Sequence, residues 1–71
     1  MTNQVAPHVQ RMQAELYDLE AKARSLDYFI NSLEHKEVFE SLSQDKQGLM
    51  RVQLSVMKTY IEVLSQRIQL G

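Results

Sequence analysis

Arg67 falls on a line of apolar residues, Leu49, Val52, Val56, Tyr60, Val63 and Leu70, that recurs at steps of three and four near the end of the chain. An arginine in that position lays its alkyl stem over an apolar surface with its head in water. Alternatively it grips a phosphate at an interface, which the planar fork of the guanidinium suits. Arg24 shares a helical line with Tyr17 and Tyr28. Such a trio supports packing through a cation beside aromatic rings, or stacks a base and holds its phosphate. Lys22 is most simply a partner of Asp18 at helical spacing. His8, directly after Pro7, is a surface imidazole or a ring stacked on a ligand. Arg11 is a further cation counted with these candidates. Each has an ordinary structural reading, and none alone specifies a ligand.

Chemistry that breaks bonds finds no such foothold. There is no G-x-S-x-G, no H-E-x-x-H and no glycine-rich phosphate loop. Glu15, Asp18 and Glu37 read as ordinary carboxylates on solvated helix faces. The absence of cysteine removes disulfides and thiolate metal sites together. His8 and His35 are too few and too far apart to anchor a metal unless several carboxylates converge on them. The expectation is a protein that is not an enzyme, with no metal and no cofactor.

The elements that must position these residues are helices. Pro7 suits the first turn of a helix. From there Val9, Met12, Leu16, Leu19, Ala23, Leu26, Ile30 and Leu33 alternate steps of three and four, the seam of a packed helix. At about 1.5 Å per residue this helix would be roughly 40 Å long. Ala14, Tyr17, Ala21 and Tyr28 form a second line away from that seam. The spacing breaks across 34–48, where Val38, Phe39 and Leu42 sit among polar residues as a short helical turn at the end of a hairpin would. Ser43 is the preferred N-cap of the second helix, with Asp45 favourable against its dipole. Ser41 with Gln44 offers a rival capping box. Gly48 within a helix costs about 1 kcal/mol relative to alanine.

The second helix carries a seam at Met50, Leu54, Met57, Ile61, Leu64 and Ile68, in addition to the line that holds Arg67. At about 100° per residue the two lines together cover more than half of the circumference. A helix in a lone hairpin needs one apolar stripe, about 100° wide. The surplus face implies a second packing partner, and the economical one is another copy. The 71 residues make one small domain, of a size that usually needs a staple or an oligomer. The fold expected is therefore all-α: an antiparallel two-helix hairpin with a short helical turn in the connection, assembled into a symmetric homo-oligomer. A flexible N-terminus at 1–6 precedes a hairpin domain at 7–71.

The formal net charge of −1 argues against binding to DNA or RNA polymers, which favours basic proteins. Between Met1 and Glu34 five acids face three bases, and between Lys46 and Gly71 four bases face one acid. Segments of opposite sign favour lying side by side, although exposed pairs are individually weak. No apolar run is long enough to span a bilayer, and MTNQVAPHVQ lacks the apolar region of a signal peptide. The compartment expected is the cytoplasm.

The runs PHVQRMQAELYDLEAKARSLDYFI, VFESLSQDKQGLM and QLSVMKTYIEVLSQRI resemble the small hairpin-domain proteins of bacteriophages, a family that includes the anti-CBASS and anti-Thoeris cyclic-nucleotide sponges. The similarity covers nearly the whole chain beyond Ala6 and rests on the aliphatic spacing with the pieces L-x-x-F-I, F-x-x-L-S and M-x-x-Y-x-x-x-L-x-x-R. The resemblance implies a hexamer-forming helical protein, acting in the cytoplasm of an infected bacterial host. It would sequester cyclic di- or trinucleotide second messengers without cleaving them. It further implies dinucleotide pockets between protomers, with an aromatic ring from the start of the hairpin and a lysine further along. Lys22 matches the lysine by position, and His8 stands where the ring is expected. Arg67 matches by position an arginine that lines the trinucleotide site. The rival reading is a coiled-coil-like protein–protein interaction module, or an inhibitor of a host protein, docking through the wide apolar face.

Overall fold

The computed structural model describes residues 6–71. Apart from Ala6, the segment 1–6 expected to be flexible lies outside the described residues. Helix α1 spans Pro7–Asn31, a 3₁₀ turn spans Leu33–His35, α2 spans Lys36–Ser41 and α3 spans Gln44–Leu70. The described residues contain no strand, so the all-helical expectation is met.

Local chemistry explains each boundary. Pro7 occupies the first turn of α1, as its fixed backbone angle and missing N–H favour. The Ala6 carbonyl accepts the first backbone bonds, from Val9 N (2.9 Å) and Gln10 N (3.0 Å). The helix stops two residues short of the expected Leu33, because Ser32 turns extended and becomes a cap. Its hydroxyl accepts the His35 backbone N–H at 3.3 Å, a local bond that competes with continuing the helix. Leu33 is consequently 86% exposed rather than part of the seam. Ser43 caps α3 as expected, its hydroxyl accepting Lys46 N at 3.2 Å. Ser41 instead ends α2 and donates its hydroxyl to the Val38 carbonyl.

The two long helices pack along their seams. Every member of the α1 seam from Val9 to Ile30 is buried or half-buried, and so is every member of the α3 seam from Met50 to Ile68. Contacts between them descend along α3 as they ascend along α1. His8 Nε2 lies 3.1 Å from the Gly71 carbonyl, Tyr60 bonds Glu15, and Lys58 approaches Asp27. This is the order of an antiparallel pairing. At the connecting end Phe39 is the plug, only 3% exposed, with the Phe29 ring edge-on at 6.0 Å and the Arg51 guanidinium 5.0 Å from its centroid. The Gln47 side-chain amide donates to the Leu42 carbonyl at 2.8 Å and fixes the last turn of the connection.

The resulting body is long and thin, 56 × 20 × 13 Å. Among the described residues the buried apolar set is Val9, Ala23, Phe39, Leu54 and Leu64, of which Leu64 alone is fully enclosed. That is a small core for a helical protein.

Candidate functional site

The second apolar line of α3 is uncovered. Leu49 is 70% exposed, Val52 60%, Val56 61%, Val63 47% and Leu70 88%. Tyr60, the least exposed member of the line, leans toward α1 and donates its hydroxyl to Glu15 Oε2 at 2.6 Å. This bond, with partial desolvation and the negative charge of Glu15, raises the Tyr60 pKa above its ordinary value, while the nearby positive charge of Arg67 opposes the rise. Arg67 is exposed, and its positive charge acts on the Tyr60 hydroxyl.

The candidate residues of α1 divide between two sides. At about 100° per residue His8, Arg11 and Lys22 share an arc roughly 60° wide, while Arg24 lies on the far side of the helix. Glu15 falls within the first arc, and it is Glu15 that touches α3. The Arg11–Glu15–Lys22 edge thus borders the uncovered line of α3. His8 and Lys22 nevertheless stand about 21 Å apart along α1. One protomer does not bring them to a single point.

His8 is exposed and holds the Gly71 carbonyl, tying the start of α1 to the end of α3. Lys22 borders an open apolar trough with Ala21, Leu26, Phe29 and Met50. It makes no ion pair with Asp18 among the described residues; the pair present is Lys58–Asp27, exposed and at 4.0 Å. Arg24 borders a second open trough with Tyr28, Asp27 and Asn31. The cation–π contact among the described residues is Arg51 over Phe39, not Arg24 over a tyrosine. Tyr28 instead donates to Glu34, and that bond together with the carboxylate's charge raises its pKa.

Glu15, read from its type as an ordinary carboxylate on a solvated face, is instead the member of this edge that bonds α3. A tyrosine on an apolar helix line needs a partner for its hydroxyl, and Glu15 supplies it across the helix pair. The described residues hold no cluster of His, Asp and Glu able to bind a metal. What the edge offers is cations, an aromatic ring and apolar surface side by side.

That combination meets an outside likeness along the same stretch of chain. The Sequestin family model matches residues 6–70, nearly the whole length. The chain belongs to the Sequestin family. The family name points to sequestration of a molecule. No curated protein and no solved structure matches the chain. The matched span takes in every candidate residue from His8 to Arg67 and both long helices. No helix among the described residues of this Sequestin chain is long and apolar enough to cross a membrane.

Proposed function

We propose that this Sequestin protein captures cyclic nucleotide second messengers and holds them without turnover, so that a phage carrying it blunts host anti-phage signalling. The single observation that carries the reading is the cationic and aromatic edge, with Arg67, Arg11 and Lys22 beside an apolar line that one protomer leaves bare. A cyclic nucleotide presents phosphates and flat bases together. Its recognition needs guanidinium or ammonium groups next to ring and apolar faces.

Distance argues for more than one copy at each ligand. Cations about 21 Å apart along one helix converge only when another protomer supplies the missing side. A symmetric homo-oligomer of the hairpin, a hexamer on the resemblance given above, provides such sites and suits symmetric ligands. Suppressing a signal by binding alone requires tight sites, and nanomolar affinity corresponds to about −12 kcal/mol. His8, Arg11, Lys22 and Arg67 are the residues of this edge assigned to binding, and Arg24, on the far side of α1, joins them only through a second copy.

Isothermal titration calorimetry against a panel of cyclic dinucleotides, cyclic trinucleotides and cyclic ADP-riboses tests this reading. Saturable heat with at least one member, and recovery of that ligand unchanged after denaturation, is the expected result. Absence of heat across the panel from the folded protein removes these ligands. Arg67→Ala should weaken binding by about 10- to 100-fold, the equivalent of a charged hydrogen bond worth about 1.5–3 kcal/mol, with helicity unchanged. Equal affinity in that variant makes Arg67 a packing residue.

A further inference from the structure

The uncovered line of α3 has an internal order. Its members pair off around a point between Thr59 and Tyr60: Leu49 with Leu70, Val52 with Arg67, and Val56 with Val63. Leucine meets leucine at the ends, and valine meets valine near the middle. We propose that this line is an isologous interface on which α3 of a second copy lies antiparallel, with Tyr60 beside the two-fold axis.

Charge decides between the two directions in which identical helices can pair. A parallel pairing in register sets Arg67 directly against the partner's Arg67 in an apolar interface, where unpaired like charges are costly. The antiparallel pairing separates the two guanidiniums by about 22 Å along the helix. It also lays each arginine stem over the partner's Val52, an aliphatic surface that leaves the charged head at the rim. Between Leu49 and Leu70 the line is bordered by the uncharged Gly48, Gln53, Ser55, Thr59 and Gln66, and the charged Asp45 falls on the same line one turn before Leu49, outside the paired span. Uncharged neighbours let the centre of the patch be desolvated without stranding a charge, while the polar rim stays wet.

Area agrees with a copy as the occupant. The chain exposes 5664 Å². A compact monomer of its 8.3 kDa would expose about 4,600 Å² on the usual scaling of surface with mass. The excess is of the order that one partner buries in a standard protein interface, about 800 Å². A two-fold axis at Tyr60 also sets both Tyr60–Glu15 contacts, and with them both Arg11–Glu15–Lys22 edges, on one side of the interface. This pairing is independent of any ligand.

The chain contains no cysteine, so single cysteines report contacts cleanly. Val56→Cys and Val63→Cys are prepared separately, then as a mixture unfolded and refolded together, and each is oxidised. Both positions are well exposed in the protomer, and circular dichroism confirms that helicity is kept. The mixture should give a disulfide-linked dimer of one chain of each kind, identified by mass. Each variant alone should give little, because its own cysteines lie about 10 Å apart along the axis, beyond the Cα separation of about 4.4–6.8 Å that a disulfide tolerates. Efficient linking of Val56→Cys to itself would mean a parallel pairing and would overturn the proposal. So would a mixture that does not link, or a wild-type mass of 8.3 kDa by light scattering. The expected linking without nucleotide heat leaves the pairing intact and removes the ligand reading alone.

Discussion

Tyr60 touches both halves of the molecule's chemistry. Its ring belongs to the uncovered line of α3, and its hydroxyl donates to Glu15 on α1. The bond to a carboxylate holds the phenol proton more tightly than in the unfolded chain, where the ordinary value is 10.0. A folded-state pKa raised in this way contributes stability in full below about pH 10 and loses it as pH climbs through the raised value. Alkaline titration followed by phenolate absorbance, with Tyr60→Phe subtracted to isolate the ring, should place Tyr60 above 10.0. Glu15→Gln should bring that transition down toward the ordinary value. If Glu15→Gln leaves the transition where it was, the cross-helix bond does not form in solution. Arg67 pulls in the opposite direction on the same proton, so Arg67→Ala should raise the transition further. That shift reports on Arg67 without any nucleotide present.

Spacing is informative about elements wherever side-chain burial sets it. The α1 and α3 seams were legible because apolar residues at steps of three and four can meet a neighbour only on one face of a helix. Ser43 was legible for a different reason, a hydroxyl able to accept a first-turn N–H. The end of α1 was not legible. Leu33 continues the seam spacing while Ser32 ends the helix, and a serine, though it favours caps, is also tolerated inside a helix, so its type alone does not mark the end. The Arg24 trio shows the same limit, since spacing puts cation and rings on one line yet does not reveal that Tyr28 turns to Glu34. Gly48 gives a test confined to one element. It lies inside α3, and a Cβ added there meets no atom within 4 Å. Gly48→Ala should therefore stabilise the fold by about 1 kcal/mol, the usual difference between these residues in a helix interior. Thermal denaturation checks it, and an unchanged or lowered melting temperature would mean that α3 is bent or contacted at Gly48 in solution.

At the scale of the whole molecule, a surplus apolar line and its need for a partner can be read in the sequence, but which of its residues stay uncovered cannot. That requires the geometry that leaves Leu49, Val52, Val56 and Val63 bare while Leu64 is completely enclosed. The thin body buries few side chains in full, so little hydrophobic stabilisation opposes the conformational entropy of the chain. In the pairing proposed above, covering the α3 line would add to that stabilisation and couple folding to assembly, and such a coupling makes stability depend on concentration. Each tenfold dilution of a dimer whose folding requires association lowers its apparent stability by about 1.4 kcal/mol. For a unit of roughly 140 residues this moves the melting temperature by roughly 3–6 °C. Scans over a hundredfold range of protein concentration should show two such steps. Val56→Asp, which places a charge on the line and leaves both seams intact, should lower the melting temperature at high concentration more than at low. A melting temperature that is the same at every concentration, in wild type and variant alike, would show that the helices stand alone and that the bare face contributes nothing to folding.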